Sequence, residues 1–544
     1  MNMRSVSEEQ AAPASPGHRR WDVFGRRFSS FCSVAALLIL FAIMLYLSLI
    51  ALTETTDMNM NNAMLENVEY HMDNFVFNVL MLLVFALAVF LYRRLVEKVN
   101  VWIPMTVCLA LVLGLGLIWT FSSLSAPTHD SLIVSRAAYK ASIGDYSDIT
   151  ANYFKRFPFQ LGYVLFSEII IRLFHTGENY LAVEVVNVVC LTVSYFALLM
   201  SAKRICGDQT VKLCALLLVL CFPPLLFCTF TYGNIPGLMF SCLAVWQFLE
   251  IQHRSTGSDI FHATLCALFM GIAVCLKKNC LIFAVAIIIL AVIRFVEKRK
   301  LAHVLCVLLC VLSIWCCGTA VVSHYERRAD FQFGDGIPMV SWLAMGLNES
   351  TIAPGWYNGV YTVTNFHNHD MDPTLAAEAS REVIAERLKL FSEDKAYAND
   401  FFAHKIISQW NEPSYQSLWT NQVRGRYGDM GKLATWACGA GETTVKGFMN
   451  LYQQFIFVLT ACAALALIKK KDARTVLLPV IIIGGFLYHA LFEAKSQYAI
   501  VYFVLMVPLA AYAAEFIFQT VQTAICPGAH RLLEHMKKSR KRNV

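Results

Sequence analysis

The stretch "CSVAALLILFAIMLYLSLIAL", residues 32–52, carries no charged side chain at any of its 21 positions. An α-helix needs about 20 apolar residues to cross the hydrocarbon core of a bilayer. This run therefore predicts a membrane-spanning helix. The first 31 residues are polar and basic, and no small-residue cleavage site ends the run, so we interpret it as a retained signal anchor.

Similar apolar runs recur along the 544 residues, which are 57% hydrophobic and only 15% charged. Soluble proteins carry about 25% charged residues. The sequence therefore predicts an all-α polytopic membrane protein with about 12 transmembrane helices. The expected spans are 32–52, 74–93, 102–123, 180–201, 209–229, 232–252, 258–276, 279–297, 301–322, 446–468, 474–491 and 497–520.

The net charge of +7 does not indicate nucleic-acid binding, because the basic residues lie just beyond the ends of the apolar runs. Most of the 18 cysteines lie inside those runs, where a thiol packs as a small apolar group. No disulfide framework and no metal-ligand spacing follow from them. No cofactor is implied, and a divalent metal is compatible with the sequence without being indicated.

The basic segments also orient the chain, because cytoplasmic loops are rich in Lys and Arg. The N-terminal tail holds five arginines, whereas loop 53–73 holds five acids and no Lys or Arg. The alternation places both termini in the cytoplasm of a cell-membrane protein. The segments expected on the cytoplasmic side are "YRRLVEK" (92–98), "SAKR" (201–204), "RFVEKRK" (294–300), "KKKDAR" (469–474) and "KKSRKR" (537–542).

The apolar run "FQLGYVLFSEIIIRLF", 159–174, is only 16 residues long and contains Glu168 and Arg172. Counting it as a span would invert every later basic loop, so we predict a helix lying at the outer interface. The chain then divides into seven parts. They are a cytoplasmic tail (1–31), three transmembrane helices (32–123), an outer loop with juxtamembrane helices (124–179), helices 4–9 (180–322), an extracytoplasmic region (323–445), helices 10–12 (446–520) and a basic cytoplasmic tail (521–544).

The extracytoplasmic region 323–445 is expected to be mainly helical. Its centre, 372–410, reads as helix, with Asp372 as the N-cap and Pro373 at the first helical position. The rest of the region is rich in Gly, Trp, Asn and Tyr. Neither large outer region is predicted to be a separate domain with its own strands.

The concentrated polar chemistry lies on the outer side. Asp130 follows the third span closely, and a carboxylate held there beside cations can act as a general base towards a hydroxyl. The cations can balance the charge of a phosphate leaving group. The alternative for Asp130 is a solvated helix N-cap, since "THDS" at 128–131 has that pattern.

Lys277 and Lys278 lie in a tight outer turn, where the positive-inside rule disfavours lysine. An anionic ligand such as a lipid phosphate offsets the cost of placing them there, and snorkelling to phospholipid headgroups is the alternative. Lys155 and Arg156 either anchor the interfacial helix or bind phosphate. Glu493 and Lys495 in the last outer turn form either a structural pair or part of a site.

Further polar and aromatic residues are candidates for substrate binding. For His129 the alternative is an exposed loop histidine, and for Asp145 and Asp148 it is a turn or cap role. Aromatic rings suit the membrane interface as well as stacking on sugars. The set comprises His129, Asp145, Asp148, Glu493, Tyr498, Trp342, Trp356 and Tyr357.

Several stretches together resemble the GT-C superfamily of integral membrane glycosyltransferases. The resemblance is nearest to the branch of protein O-mannosyltransferases and the aminoarabinose transferase of lipid A, in its Gram-positive form. It runs from about 100 to 515, carried by the order of short motifs. They are "PTHD" (127–130), "RAAYKASIGDY" (136–146), "YFKRFPFQLGYVLFSEIIIRLF" (153–174), Lys278, "GIPMVSWLAMGLN" with "GWYNG" (336–359), and "EAKSQY" (493–498).

The resemblance implies transfer of a sugar from a polyprenyl-phosphate donor to a protein, lipid or glycan acceptor on the extracytoplasmic side, with inversion. Asp130 aligns with the family's catalytic acid and is the expected base. Lys278, Arg156, Lys155, Lys277 and Lys495 are the expected ligands of the donor phosphate.

The sequence departs from the family's pattern in three places. His129 stands where many relatives have a second acid, Gln497 stands where relatives have Arg before the Tyr, and two extra spans precede the catalytic loop. Two other functions stay open. One is a transporter or flippase of a lipid-linked or anionic substrate, for which the broken segment "CFPPLLF" (221–227) is the supporting feature. The other is a non-catalytic membrane partner in surface-polymer assembly.

Overall fold

The computed structural model describes residues 16–60, 66–251, 255–470 and 472–525. Most of the predicted tails, 1–15 and 526–544, lie outside this range, and so does residue 471 of the basic segment 469–474. Twenty-two α-helices occur in the described part. They are α1 (Pro16–Ala51), α2 (Phe75–Leu95), α3 (Trp102–Ser123), α4 (His129–Ser142), α5 (Asn152–Arg156), α6 (Leu161–Phe174), α7 (Leu181–Cys206), α8 (Asp208–Leu220), α9 (Phe222–Leu226), α10 (Asn234–Glu250), α11 (Thr256–Leu276), α12 (Leu281–Lys298), α13 (Leu301–Ala329), α14 (Met339–Gly346), α15 (Asn365–Asn368), α16 (Pro373–Glu393), α17 (Lys395–Trp410), α18 (Ser417–Val423), α19 (Lys432–Ala437), α20 (Glu442–Leu467), α21 (Leu477–Leu491) and α22 (Ser496–Ile525).

The prediction of an all-α polytopic membrane protein is confirmed. Within the described residues, ten helices are long and apolar enough to cross a membrane, and an eleventh is formed if α8 and the segment after it count as one bent span. The predicted span 232–252 corresponds to α10, which has 17 residues. At about 1.5 Å of rise per residue, that length is at the short end of what crosses a bilayer.

The bend between α8 and the following segment Phe222–Thr229 is 51°. It falls where Pro223 and Pro224 remove backbone donors. The carbonyls exposed beyond it are satisfied by side chains of neighbouring helices. Trp119 donates to the carbonyl of Leu226 at 3.2 Å, and Asn187 donates to that of Cys228 at 2.9 Å. The break is therefore locked into the bundle by fixed donors.

A β-hairpin lies between α1 and α2, which the sequence did not predict. Strands β1 (Glu54–Met60) and β2 (Glu66–Met72) pair antiparallel, with Glu54 opposite Met72 and Met60 opposite Glu66. Two side chains of the hairpin, Met58 and Val68, are buried in a cluster with Trp356 and Ala494. The hairpin is thereby packed onto region 323–445 and onto the turn before α22.

Region 323–445 is helical, as expected, but its centre is two helices rather than one. Asp372 caps α16 by accepting from the backbone N–H of Thr374 at 2.7 Å, and Pro373 is the first helical residue, as predicted. The helix ends at Glu393, and the Asp394 side chain caps α17 through the N–H of Tyr397 at 2.9 Å. The expectation of a continuous helix over 372–410 was wrong, because a second capping aspartate starts a new helix.

The run 159–174 forms α6, which has 14 residues and packs on α4, α7, α11 and α13. Its Glu168 is buried and fully satisfied. One carboxylate oxygen accepts from Arg172 at 2.9 Å and pairs with Arg328 at 2.8 Å, and the other accepts from the Tyr325 hydroxyl at 2.7 Å. The charge that made this run a poor membrane span is thus neutralised inside the protein.

The described cysteines are all free thiols. Three of them, Cys266, Cys306 and Cys310, converge where α11 packs on α13, with their sulfurs within 4.8 Å of one another. The spacing in sequence did not indicate this grouping. All three belong to the main hydrophobic core, where thiols pack as small apolar groups.

Candidate functional site

Asp130 lies in the first turn of α4, just beyond the end of α3. The chain leaves α3 through Leu124, which has a φ of 48°, and enters α4 through His129, which also has a φ of 48°. The Ser131 hydroxyl accepts from the backbone N–H of Thr128 at 3.2 Å and so closes the first turn. Positive φ values in non-glycine residues store strain, and such strain is concentrated at functional sites.

The start of α4 is held in place by a buried arginine from region 323–445. Arg424 donates to the Ser131 hydroxyl at 3.3 Å and to the carbonyl of Thr229 at 2.7 Å. Its guanidinium also lies over the ring of Phe230, 4.5 Å from the centroid. These contacts fix the helix that carries Asp130 against the segment after the bend.

The Asp130 carboxylate makes no hydrogen bond or ion pair with any residue in the described part of the chain. It is exposed to the cleft, yet enough protein surrounds it that desolvation raises its pKa. Opposing that rise are the positive charges that face it, which belong to Lys495, Lys277, His129 and Arg156. Asp130 is therefore an unpaired acid in a cationic cleft, with a pKa suited to exchanging a proton.

Of the two lysines between α11 and α12, only Lys277 faces Asp130. Its ammonium lies over the rings of Tyr232 and Tyr498, 4.6 and 5.2 Å from their centroids. Burial lowers the pKa of Lys277 to about 8, against the opposing effect of nearby acids, Glu493 first. Lys278 begins the adjoining 3₁₀ turn and is exposed, and it is not among the charges that act on Asp130.

A narrow cleft of about 20 Å³ lies on the far side of Lys277, between α10, α12 and α22. Its lining is mainly apolar and includes Leu238, Phe283 and Val501. Asn234, also in the lining, has a buried side-chain oxygen without a hydrogen-bond partner. Lys277 therefore lines an apolar crevice of the transmembrane bundle, and its charge also acts on the carboxylate of Asp130.

The turn before α22 brings Lys495 and Glu493 to the same cleft. Burial raises the pKa of Glu493 to about 7, although Lys495 and the hydroxyl of Tyr498 oppose the rise. Tyr498 donates to the Glu493 carboxylate at 3.3 Å. Lys495 pairs with Glu66 of β2, with 2.5 Å between the ammonium and the carboxylate.

Arg156 reaches the cleft from the end of α5. Its hydrogen bond is from Nε to the carbonyl of Asn152 at 3.1 Å, and no carboxylate among the described residues pairs with it. It lines a cavity of about 310 Å³, whose wall combines the polar residues Asn152, Thr364 and His367 with the apolar residues Val363, Phe366 and Met371. An unpaired guanidinium at the wall of such a cavity is a suitable ligand for phosphate or carboxylate.

Of the remaining polar candidates, Asp145, Asp148 and Lys155 interact with residues outside the group around Asp130, whereas His129 is its neighbour in sequence. Asp148 pairs with Arg136 at 2.6 Å and with Lys140 at 2.9 Å, and Asp145 accepts from the N–H of Ser147 at 2.9 Å, so both stabilise the turn after α4. The Lys155 ammonium lies 5.5 Å from the ring centroid of Phe331. His129 is exposed beside Asp130.

The aromatic candidates separate into buried and accessible rings. Trp356 is 0% exposed and donates to the Ser408 hydroxyl at 2.8 Å, so its ring is closed to a substrate. Trp342 packs against Phe157, with 6.1 Å between the ring centroids. Tyr357 is 43% exposed, and the carboxylates of Asp130 and Glu493 add to the rise that burial causes in its pKa. Tyr357 is therefore the aromatic candidate available for stacking in the cleft.

Three residues at the site were not singled out from the sequence. Glu66 comes from the unpredicted hairpin, and Tyr232 lies in the segment before α10. Lys405 of α17 is buried and donates to the carbonyls of Gly346 and Phe492, which braces the turn carrying Glu493. Burial lowers the pKa of Lys405 to about 7. A lysine in the helical pattern of 395–410 gives no sequence signal of this role.

Comparison with known proteins gives a family match and several distant folds. A profile of the family described as "Conserved hypothetical integral membrane protein" matches residues 30–391. A search of curated proteins finds no match. The Archaeoglobus fulgidus oligosaccharyltransferase in complex with Zn and sulfate is 11% identical with a TM-score of 0.45, covering 79% of this chain and 51% of that one.

Two further solved structures have a similarly low sequence identity to this chain. AglB from Archaeoglobus fulgidus, with an inhibitory peptide and a dolichol-phosphate, is 11% identical with a TM-score of 0.44, covering 81% of this chain and 52% of that one. ArnT from Cupriavidus metallidurans, bound to undecaprenyl phosphate, is 12% identical with a TM-score of 0.33, covering 78% and 79% of the two chains. The chain spans about half the length of the oligosaccharyltransferases it matches.

Proposed function

The chain belongs to the family of conserved hypothetical integral membrane proteins, and on that premise we propose that it is a membrane glycosyltransferase. The proposed reaction transfers a sugar from a polyprenyl phosphate to an acceptor on the extracytoplasmic side. One observation carries the proposal. The unpaired carboxylate of Asp130 is acted on by the positive charges of Lys277, Lys495 and Arg156, of which Lys277 also lines an apolar crevice and Arg156 a larger cavity.

The donor is assigned to the side of Lys277. A polyprenyl phosphate has an apolar tail and a charged head, so it needs a cation next to an apolar surface of the bundle. Lys277 meets this requirement, because Leu238 and Phe283 line the crevice beside it. Lys495 and Arg156 add positive charge that acts on Asp130. Lys278 is exposed, and the Lys155 ammonium lies over the ring of Phe331.

The acceptor is assigned to the cavity lined by Arg156 and His367, where a hydroxyl can approach Asp130 from outside. The acceptor oxygen forms a bond to the anomeric carbon of the sugar, and the bond from that carbon to the phosphate oxygen breaks. Asp130 takes the acceptor's proton as general base. The leaving phosphate keeps the electron pair, and its added charge is balanced by Lys277, Lys495 and Arg156. A single displacement of this kind inverts the anomeric carbon.

The transporter alternative rested on the break after α8, and the environment of that break argues against it. A transporter uses a broken helix to bind cargo at the bilayer midplane with free backbone groups. Here the carbonyls of Leu226 and Cys228 already accept hydrogen bonds from Trp119 and Asn187. The open charges lie instead in the cleft around Asp130.

The proposal is tested by reconstituting the full-length protein in liposomes with synthetic polyprenyl-phosphate sugars and measuring release of polyprenyl phosphate. The Asp130→Asn variant is expected to lower kcat by about 100-fold to 10,000-fold, the usual range for loss of a general base. The matched control is Asp145→Asn, which removes the same charge from a solvated turn in the same outer loop.

A wild-type rate equal to that of empty liposomes, across the sugars tested, contradicts the proposal. So does an Asp130→Asn variant that releases polyprenyl phosphate as fast as the Asp145→Asn control.

A further inference from the structure

A carboxylate of the hairpin β1–β2 forms an ion pair with a cation of the proposed site. Glu66 is the first residue of β2, and its Oε1 lies 2.5 Å from Nζ of Lys495. Lys495 is one of the charges that face Asp130. The contact joins two parts of the chain that are distant in sequence, the loop between the first two spans and the turn before the last one.

The position of Glu66 is fixed from two sides. The hairpin is packed against the outer region through Met58 and Val68, and Lys446 of α20 pairs with Asp57 of β1 at 2.6 Å. The second support comes from Gln416, whose side-chain amide donates to Oε1 of Glu66 at 3.2 Å. A carboxylate held in this way sets the location of the ammonium that pairs with it.

The ammonium of Lys495 has few other restraints. Glu493 and Asp130 face it through space, but the structure gives it a direct ion pair with Glu66 alone among the described residues. Lysine has a flexible four-carbon stem and loses side-chain entropy when it is fixed. Without Glu66, no ion pair among the described residues holds the ammonium in the cleft.

We infer that Glu66 is a positioning residue, which holds Lys495 in the cleft beside Asp130. The two spans that the family's pattern lacks then have a role, because the first two helices, α1 and α2, carry the hairpin that completes the site. This inference rests on the proposed function for its catalytic consequence. Its structural part, the dependence of Lys495 on Glu66, stands separately.

The charge environment makes the inference measurable by titration. Burial lowers the pKa of Lys495, but Glu66 outweighs it, assisted by Glu493 and Asp130, so that the pKa lies above its ordinary value. Lys277 is the opposing positive charge nearby. Removing the charge of Glu66 is therefore expected to lower the pH at which Lys495 loses its proton by about one unit or more.

The experiment compares full-length wild type with Glu66→Gln, using acetic anhydride labelling of Lys495 quantified by mass spectrometry from pH 7 to 12. The midpoint of labelling is expected to fall by about one pH unit in the variant. The matched control is Glu69→Gln, which removes a charge from the same strand, where Glu69 accepts from Asn59 at 2.7 Å instead. The control is expected to titrate like wild type.

Sugar transfer is measured on the same proteins. At pH 7, kcat/KM should fall roughly tenfold in Glu66→Gln, because a displaced Lys495 no longer balances the charge of the leaving phosphate, whereas the alkaline limb set by Lys277 near pH 8 should stay in place. Glu66→Asp keeps the charge but shortens the side chain, and it should restore most of the lost rate. It also serves as the test if Glu66→Gln folds poorly.

The outcomes separate the two hypotheses. Unchanged Lys495 labelling in Glu66→Gln overturns the inference, and so does a Glu66→Gln transfer rate equal to that of the Glu69→Gln control. A wild-type protein that transfers no sugar overturns the proposed function, while the labelling result still decides whether Glu66 controls Lys495.

Discussion

Two carboxylates on neighbouring helices of the predicted outer face, Glu168 of α6 and Asp130 of α4, are surrounded by cations in different ways. Glu168 is buried and accepts from Arg172, Arg328 and Tyr325. Asp130 faces Lys495, Lys277 and Arg156 but pairs with no described residue. The first cluster is closed by its own protein partners, whereas the second leaves both signs of charge open to a ligand.

The difference shows why the number of charges in an outer segment does not identify a site. Both carboxylates lie in the same outer segment, 124–179, and both belong to stretches that carry the family resemblance. Satisfying a buried charge with protein donors stabilises the fold and leaves nothing for a substrate. The following predictions test whether this distinction holds, from the largest expected free-energy change to the smallest.

Removing Glu168 from its closed cluster should destabilise the protein without altering the transfer reaction. Glu168→Ala leaves Arg328 and Arg172 without their buried partner, which typically costs about 3–5 kcal/mol of stability. Thermal unfolding in detergent should show a clear decrease in Tm, while the transfer rate per folded molecule stays near that of wild type. Glu178→Ala, in an exposed turn, is the control. Equal Tm values for Glu168→Ala and the control contradict the comparison.

Removing a cation from the open cluster around Asp130 should instead lower the transfer rate and leave the stability of the protein nearly unchanged. Lys277→Gln removes a charge that faces Asp130, and kcat/KM for the lipid donor should fall roughly 30-fold, or about 2 kcal/mol of transition-state stabilisation. Lys278→Gln, one residue further and exposed, should stay within about twofold. Equal losses in the two variants indicate that these lysines act only through general surface charge.

The pH dependence of kcat/KM should also depend on the charges of this open cluster. The pKa of Lys277 is about 8, so its positive charge is lost as the pH rises through that value. We expect kcat/KM to fall above about pH 8, approaching tenfold per unit. When the donor is bound, its negatively charged phosphate stabilises the protonated form of Lys277. We therefore expect kcat to change less than kcat/KM. Lys277→Arg should remove this limb, because arginine stays charged.

Lowering the pH should also reduce the transfer rate, in this case by neutralising a carboxylate. Asp130 acts as a base only when ionised, and its pKa is raised above 3.8, so transfer should decline at a higher pH than for an ordinary aspartate. The decline is absent from the residual rate of Asp130→Asn if the assignment is right. A residual rate with an unchanged acidic limb indicates that another group is responsible.

The smallest effect is expected at the turn after α4. Asp148→Asn weakens the pairs with Arg136 and Lys140, which lie at the surface. Surface substitutions of this kind usually change stability by less than about 0.5 kcal/mol, so the transfer rate should stay within about twofold. A loss comparable to that of Lys277→Gln instead shows that Asp148 takes part in substrate binding.

The membrane spans could be predicted from the sequence because apolar length is a local property of the chain. The run 159–174 was recognised as non-spanning from its length, from Glu168 and Arg172, and from the later basic loops that a further span would invert, and the structure explains why these charges are tolerated there. The hairpin was missed although Val68, Tyr70 and Met72 alternate with polar residues in "ENVEYHM", because the alternation covers one short strand and its partner "ETTDMNM" is mostly polar. Its apolar contacts, Met58 and Val68, are single residues that gain meaning only from the region packed on them.

The candidate site was predictable in part. The sequence pointed to Asp130, Arg156 and Lys495, whose charges the fold directs to one cleft. The choice between Lys277 and Lys278 depends on a 3₁₀ turn that directs one side chain inward, which spacing does not reveal. The break at Asp394 was visible in principle as a capping aspartate inside a helical pattern.

The contact between Glu66 and Lys495 has a consequence for biosynthesis. Glu66 is translated before α2 and Asp130 soon after α3, whereas Lys495 is translated just before α22. A nascent chain thus carries the two acids long before the cation that faces both of them is made. The centre is assembled only after the turn before α22 has been made and has reached the hairpin, which confines its chemistry to copies that have completed this contact.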